Sequence, residues 1–346
     1  MTGSDARVAQ IREWLTSGLG LQLLRLEAAS ADASFRRYFR AWFEHGTTLV
    51  VMDAPPGKED IAPFLKVAAL LEGCGVHVPH IHAADTVQGL VLLEDLGSEQ
   101  YLSRLRAGAD PQLLYRDALD TLLNIQLRGR DAAGELPPYD RAALEREMAL
   151  MPEWFCVRHL QLQLDDADRA LLAHSFELLT IEALAQPRVF VHRDYHSRNL
   201  MWLASRNPGV IDFQDALAGA VGYDLVSLLK DCYIDWPRAQ VEQWVSGYRA
   251  RLRGSGELAG ASEREFLRWF DLIGLQRHIK VLGIFARLWY RDGKHGYLSD
   301  LPRTLDYVLD TLRRYPEFKE LERWMQRRVV PAFAEASARA PAAERS

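Results

Sequence analysis

Two aspartates and an asparagine have a spacing that suits phosphoryl transfer. Asp194 and Asn199 are five residues apart in one polar stretch, and Asp212 follows after the apolar residues Gly-Val-Ile. Phosphoryl transfer from ATP needs a carboxylate that orients and deprotonates the attacking hydroxyl, together with oxygen ligands for Mg²⁺. We therefore predict that Asp194 is catalytic and that Asn199 and Asp212 bind Mg²⁺.

Short apolar segments must position these residues. Residues 188–192, 200–203 and 210–213 have the composition of strands. The polar residues between them are predicted to form a tight loop that displays Asp194 and Asn199 beside Asp212. The alternative is that these side chains only close turns or cap the next element, as loop Asp and Asn commonly do. The combined spacing favours the chemical interpretation.

The segment from His192 to Asp224 resembles the aminoglycoside phosphotransferase and choline kinase group, whose fold is similar to that of protein kinases. The group's motif His-x-Asp-x-x-x-x-Asn matches His192, Asp194 and Asn199, and its metal-binding aspartate matches Asp212. The resemblance implies that His192 and Asp224 support the catalytic loop. The second acidic residue that the group carries next to its glycine is missing, because this chain reads Gly-Tyr-Asp-Leu.

Three stretches resemble a narrower set, the anomeric N-acetylmuramate/N-acetylglucosamine kinases of bacterial cell-wall recycling. They are Asp-Tyr-His-Ser-Arg-Asn-Leu-Met, Ile-Asp-Phe-Gln-Asp-Ala and Val-Met-Asp-Ala-Pro-Pro. The resemblance implies an ATP- and Mg²⁺-dependent transferase that forms the sugar 1-phosphate in peptidoglycan recycling. Two alternatives stay open, an aminoglycoside- or choline-type phosphotransferase and a catalytically dead nucleotide-binding scaffold. Arginine-rich final helices mildly disfavour the cationic acceptors of the first alternative.

Composition limits the other classes of function. The chain has 346 residues, which favours two lobes, and a net charge of -5, which argues against nucleic acid as a partner. Three cysteines without metal-ligand spacing indicate buried thiols. No signal peptide or membrane-spanning run is evident, so we expect a cytoplasmic protein without a membrane partner, and we favour a monomer.

Periodicity and the resemblance together predict an α+β, protein-kinase-like, two-lobed fold. The small antiparallel-sheet lobe, residues 1–96, would bind nucleotide, and the larger, mainly helical lobe, residues 97–336, would be catalytic. Residues 337–346 are predicted to be a disordered tail. Strands are predicted at 21–27, 34–43, 48–53, 81–85 and 90–94. Helices are predicted at 7–16, 59–73, 111–127, 140–160 with a break at Pro152, 165–184, 222–233, 238–253, 262–291, 301–314 and 316–330.

The small lobe departs from the group at two points. The loop that would cover the nucleotide phosphates, residues 30–37, has no glycine, and we assign Ser34 and Phe35 to nucleotide binding there; a solvated hairpin is the alternative. Met52 stands where the resemblance implies a lysine for the α and β phosphates. Arg37 is the preferred substitute, with Arg36, Arg40 or no replacement as alternatives.

The remaining assignments concern adenine and the acceptor. The resemblance implies that the backbone C=O of Glu94 and N-H of Leu96 bind adenine; an interlobe linker without a ligand is the alternative. Four basic residues are candidate contacts for an anionic sugar, namely Arg198, Arg277, His278 and Arg287. A solvated cationic helix face with core aromatics remains the rival interpretation of the last three.

Overall fold

The computed structural model describes residues 3–31, 35–255, 261–294 and 296–339. The chain divides into two units, one containing Met1–Ala118 and Arg198–Asp215 and the other containing Leu119–Ser197 and Ala216–Ser346. The chain thus passes from the second unit to the first between Ser197 and Arg198, inside the predicted catalytic loop. The proposed boundary between residues 96 and 97 stays a prediction.

The first unit is built on an antiparallel sheet that has five strands within the described ranges, in the order β1-β2-β3-β5-β4. The strands are β1 (Leu23–Ala31), β2 (Arg37–Phe43), β3 (Thr48–Asp53), β4 (Ile81–Asp85) and β5 (Leu90–Glu94). Alternate residues of a strand share a face, so Phe39, Val51 and Leu92 are buried together against Ile11 and Leu15 of the first helical segment.

Within the described ranges, the first unit also contains three helices and a hairpin. They are α1 (Gly3–Glu13), which continues as a π-helical turn over Trp14–Gly18, α2 (Ala62–Gly73), α3 (Tyr101–Arg106), and the paired strands β7 (Leu200–Met201) and β8 (Gly209–Val210). Gly209 lies against the linker that follows β5, because a Cβ at this position would stand 2.8 Å from Leu96 Cδ1. The strand that leads to Asp212 is therefore packed closely onto that linker.

Helix α4 (Pro111–Arg128) carries the chain into the second unit, which is mainly helical. Its helices are α5 (Arg130–Ala133), α6 (Arg141–Met148), α7 (Asp166–Leu184), α8 (Tyr223–Leu229), α9 (Arg238–Gly254), α10 (Glu263–Tyr290), α11 (Leu301–Arg314), α12 (Lys319–Trp324) and α13 (Val330–Arg339). Strands β6 (Arg188–Val191) and β9 (Leu217–Ala220) pair antiparallel. Asp165 and Ser262 form capping boxes that start α7 and α10.

Helix α10 is the centre of the second unit. Nearly all of its residues from 270 to 286 are buried, including Gln276, Arg277, His278 and Lys280. Burying charged side chains on a helix is costly unless they are paired. The buried polar residues of α10 therefore indicate a site with a role beyond hydrophobic packing.

The predicted α+β class and most predicted elements are confirmed. Strand β9 was missed because Leu-Ala-Gly-Ala has weak strand propensity. The helix predicted at 222–233 ends at Leu229. The break expected at Pro152 instead lies just after Met148, and Pro152 is inside the π-helical segment that follows, Met151–His159. Residues 337–339 of the predicted tail continue α13, and residues 340–346 lie outside the described ranges.

The three cysteines are buried thiols, as predicted. Among the described residues, no helix is both long and apolar enough to cross a membrane.

Candidate active site

The predicted catalytic loop follows β6 in the second unit and is held by a buried carboxylate. The backbone N-H groups of His192 and Arg193 donate to the two oxygens of Asp224, at 2.6 and 3.0 Å. The N-H of Asp194 donates to Nδ1 of His192 at 3.3 Å. His192 and Asp224, the two residues predicted to support the loop, thus both contact its backbone.

A second carboxylate, which sequence reasoning missed, holds the far end of this loop. Asp231 accepts hydrogen bonds from the backbone N-H and the hydroxyl of Ser197, and its other oxygen accepts from the N-H of Tyr233 at 2.9 Å. The Asp231 side chain is fully buried. The available signal was the spacing of seven residues between Asp224 and Asp231, which is two turns of the helix predicted at 222–233. In the structure α8 ends at Leu229, so Asp231 lies beyond the helix.

Asp194 and Asp224 have pKa shifts of opposite sign. Burial raises the pKa of Asp224 to about 7, against the effect of its two amide donors. Burial also acts to raise the pKa of Asp194, but the positive charges of His196, Lys280 and Arg277 outweigh it, so the pKa lies below 3.8. Asp194 is therefore ionised at neutral pH, as an acceptor for a hydroxyl proton must be.

Behind Asp194 lies a network of buried charges that the sequence did not reveal. Glu147 of α6 pairs with Arg193 and, at 3.0 Å, with Nζ of Lys280. Lys280 also donates to the hydroxyl of Tyr223 at 3.1 Å. Since two cations share one carboxylate, the group has an excess of positive charge beside Asp194.

The predicted metal ligands lie in the first unit. Nδ2 of Asn199 donates to Oδ2 of Asp212 at 3.2 Å, and Nε2 of Gln214 donates to Oδ1 of Asp212 at 2.9 Å. The side-chain oxygen Oε1 of Gln214 is buried and has no hydrogen-bond partner in the described part of the chain. A carboxylate with carboxamide oxygens is the hard donor set that suits Mg²⁺, so these residues fit the ion.

Backbone strain marks one predicted functional segment in each unit. Asp212 has φ of 64° and Arg193 has φ of 78°, values in the left-handed region that side chains other than glycine rarely adopt. Such conformations cost free energy and tend to persist where function requires a particular side-chain direction. The strained residues here are the predicted metal ligand and the neighbour of the predicted base.

Arg37 and Arg36 have different partners. Arg37 stands opposite Asp53 in the β2–β3 register and pairs with its buried carboxylate, which Arg7 also contacts at 2.6 Å. Arg36 precedes β2, is only 8% exposed, and brings its guanidinium to 3.7 Å from Oδ1 of Asp212. Met52 is fully buried.

The loop before β2 is only partly described. Ser34 lies outside the described residues. Phe35 is exposed, and its backbone N-H donates to Oε1 of Glu59 at 3.0 Å, while Nζ of Lys58 lies 5.1 Å from its ring. Glu59, which precedes α2, therefore anchors this loop.

The linker after β5 is polar on one side. The Glu94 carboxylate accepts from the N-H of His80 at 3.2 Å and lies 3.1 Å from Nε2 of His77. Leu96 is buried against Gly209. The side chains of Glu94 and Leu96 are thus engaged within the unit, which leaves only their backbone groups for the predicted adenine contacts.

The four candidate acceptor contacts are scattered. Arg198 is partly buried next to Asn199 in the first unit, whereas the other three lie on α10 in the second. His278 is fully buried, with Nε2 3.0 Å from the carbonyl oxygen of Lys230, and burial lowers its pKa. Burial also lowers the pKa of Arg287, ten residues from Arg277.

A family model described as "Phosphotransferase enzyme family" matches residues 25–267. The chain is also 47% identical to the N-acetylmuramate/N-acetylglucosamine kinase of Pseudomonas aeruginosa over 327 residues, 92% of this chain and 95% of the relative. The chain belongs to the phosphotransferase enzyme family. A relative of the same name from Neisseria meningitidis is 43% identical over 318 residues, 91% of this chain and 94% of the relative. The predicted resemblance and the enzyme class, a phosphotransferase, are confirmed.

Solved structures agree on the fold of this family member. The ADP-bound aminoglycoside phosphotransferase APH(2'')-Ib has a TM-score of 0.59 at 14% identity and covers 88% of this chain and 98% of its own. A choline kinase from Streptococcus pneumoniae has a TM-score of 0.59 at 13% identity, with 88% and 99% covered. The predicted kinase-like fold is thereby confirmed.

Proposed function

We propose that this chain transfers the γ-phosphoryl group of Mg·ATP to the anomeric hydroxyl of N-acetylmuramate or N-acetylglucosamine. The products are the sugar 1-phosphate and ADP. The observation that carries the proposal is the shared name of relatives that match more than nine-tenths of the chain, together with an ionised Asp194 on a loop fixed at both ends. The reaction belongs in the cytoplasm, where ATP is available, and in the recycling of cell-wall sugars.

Asp194 acts on the acceptor. Its carboxylate accepts a hydrogen bond from the anomeric hydroxyl and takes the proton late, as the oxygen bonds to phosphorus and ADP departs. Because the transition state is loose, orientation matters more than basicity, and a low pKa is compatible with this role. Asp224, His192 and Asp231 fix the loop so that the carboxylate does not reorient during turnover.

Asn199 and Asp212 would hold the metal, with Gln214 as a further oxygen donor. Mg²⁺ bound there would supply positive charge that offsets the negative charge of the nucleotide phosphates. Arg36 supplies the cation that the strand lacks at Met52, because its guanidinium lies beside Asp212 whereas that of Arg37 is committed to Asp53. An arginine fork suits phosphate oxygens better than a lysine point charge.

The other nucleotide contacts are backbone groups. The C=O of Glu94 and the N-H of Leu96 bind the edge of adenine. The loop containing Ser34 and Phe35 covers the phosphates and is anchored by Glu59. This loop needs no glycine if a side chain, rather than a close backbone approach, supplies the charge.

The test is ADP release on mixing the protein and Mg·ATP with each of four acceptors: N-acetylmuramate, N-acetylglucosamine, kanamycin and choline. We expect turnover with the two amino sugars and phosphorus at C1 by NMR. Phosphorylation only at C6, or turnover only with kanamycin or choline, would contradict the proposal. ADP binding without turnover on any acceptor would instead indicate a nucleotide-binding scaffold.

A further inference from the structure

Arg277 is a buried cation with unusually weak partners. It is 4% exposed, and its only hydrogen bond within the described residues runs from Nη1 to Sγ of Cys232 at 3.6 Å. Nε is buried without any partner in the same part of the chain. Burying a guanidinium is costly unless an anion and several acceptors compensate, and a thiol sulfur is a poor acceptor.

Three other buried or partly buried cations of the second unit are paired with carboxylates. Arg193 pairs with Glu147, Lys230 lies 3.0 Å from Asp271, and Arg238 makes two hydrogen bonds to the same carboxylate of Asp271. Arg277 has no carboxylate within ion-pair distance among the residues that the structure describes. Among the described residues, Arg277 thus lacks the bonded carboxylate that these three cations have.

Arg277 lies near the catalytic loop. It lies three residues from Lys280 on α10, and therefore on the same side of the helix. The charges of both residues lower the pKa of Asp194. Its contact Cys232 directly follows Asp231, which holds Ser197 of the catalytic loop. Arg277 therefore lies near enough to Asp194 for its charge to act on the carboxylate that receives the acceptor hydroxyl.

We propose that Arg277 binds the carboxylate of the acceptor and sets the preference for N-acetylmuramate over N-acetylglucosamine, an inference that rests on the proposed function. The two sugars differ by the lactyl ether on C3, which ends in a carboxylate. A planar guanidinium with unused N-H donors matches that group in charge and in shape. N-acetylglucosamine leaves the same donors without an anion.

The rival explanation is that Arg277 acts only through Asp194, by stabilising its ionised form. That role would affect every acceptor alike, because each one presents the same hydroxyl to Asp194. A role in binding the carboxylate affects only the acid. The two explanations are separated by the ratio of kcat/KM values for different sugars measured on one enzyme.

The experiment compares three acceptors at saturating Mg·ATP: N-acetylmuramate, its methyl ester and N-acetylglucosamine. Because the ester keeps the lactyl ether and the carbonyl, adds one methyl group and loses the charge, the wild-type enzyme should prefer the acid to the ester by about 10- to 100-fold in kcat/KM, the scale of a charge-assisted hydrogen bond. Arg277→Met should reduce this preference to near unity, and Arg277→Lys should retain part of it. Arg238→Met is the matched control, since it removes a paired arginine and should leave the ratio unchanged.

A wild-type enzyme that uses acid and ester equally well would overturn the inference, and this measurement does not depend on any variant folding. Equal loss on all three sugars in Arg277→Met, with the acid limb of the pH profile moved upward, would also overturn it and assign Arg277 to Asp194 alone. In both cases the proposed function stands. A wild-type enzyme that phosphorylates none of the three sugars removes the proposed function and the inference together.

Discussion

Asp212 and Asp194, which we assign to the metal and to the acceptor, have contrasting surroundings. Asp212 has a strained backbone and a side chain that is 34% exposed, and it lies beside the Gln214 carboxamide, whose oxygen has no hydrogen-bond partner among the described residues. Asp194 stands on a loop whose backbone is tied to two buried carboxylates. The surroundings of Asp212 leave oxygen atoms that a metal ion can use when it binds. The loop of Asp194 fixes the direction of its carboxylate before the acceptor binds. A metal-nucleotide complex needs open ligands, whereas a base needs orientation.

The largest effect on turnover is expected from a change at Asp212. Asp212→Asn should lower turnover by about three orders of magnitude, because an ion loses a charged ligand and several kcal/mol of transition-state stabilisation. Thermal stability should change little, since the side chain is partly exposed. Steady-state rates across a Mg²⁺ titration, with melting curves as the control, check this. Near-normal turnover at saturating Mg²⁺ would remove Asp212 from the mechanism.

Asp194→Asn should cost about two or more orders of magnitude in kcat, the usual scale for a positioned general base. Affinity for ATP should stay close to the wild-type value, because the phosphate contacts are assigned to the other unit. Some activity should remain with the natural sugar, since an anomeric hydroxyl is more acidic than an ordinary alcohol. Single-turnover rates and calorimetric ATP binding measure the two quantities. A fully active variant would refute the assigned role.

The two neighbouring arginines give a matched pair. Arg36→Met should weaken Mg·ADP and Mg·ATP-analogue binding by about 10- to 100-fold, the scale of a lost charge-assisted contact. Arg37→Met should instead lower the free energy of unfolding, because the buried Asp53 loses one of its two cations. Calorimetry and chemical denaturation on both variants separate the effects. Weaker nucleotide binding in Arg37→Met alone would restore the assignment made from sequence.

A smaller effect concerns Asp224 and pH. Its carboxyl titrates near 3.8 when unfolded and near 7 when folded, so the folded state holds the extra proton between these values. The stability it contributes is complete below 3.8 and is lost as pH rises through 7, at most about 4 kcal/mol. Asp194, whose pKa is lowered, adds a slope of opposite sign only at the acid end of this window, where the unfolded chain still binds its proton.

Denaturation of wild type and Asp224→Asn at intervals from pH 4 to pH 8 measures this slope. The difference between the two free energies of unfolding should shift across the window. A constant difference would show that Asp224 keeps an ordinary pKa and anchors the loop as a permanent anion.

The parts of the fold and site that sequence predicted are those that neighbouring residues determine. The strands of the first sheet, most helices and the family motif depend on local periodicity and spacing. The predicted bases and ligands were read from one continuous stretch. Whether Asp194, Asn199 and Asp212 act on one substrate stays a prediction.

Contacts between distant segments were beyond sequence reasoning, with one exception. Nothing in the sequence links Glu147 to Arg193, or Asp231 to Ser197, because helix packing creates these pairs. The exchange of roles that we propose between Arg36 and Arg37 was open to inference. The β2–β3 hairpin register places Arg37 opposite Asp53. Arg36 precedes β2, so the alternation of side chains between the two faces of the sheet does not fix its direction.

The burial of all three cysteines has a practical consequence. Burial raises the pKa of the Cys156 and Cys232 thiols, and Cys74 is also enclosed, so none should react readily with alkylating dyes. A cysteine introduced at Phe35, which is 61% exposed, would then be the one fast-labelling position. A fluorophore there would report in real time how the loop anchored by Glu59 responds as nucleotide arrives and leaves, in an otherwise unmodified enzyme.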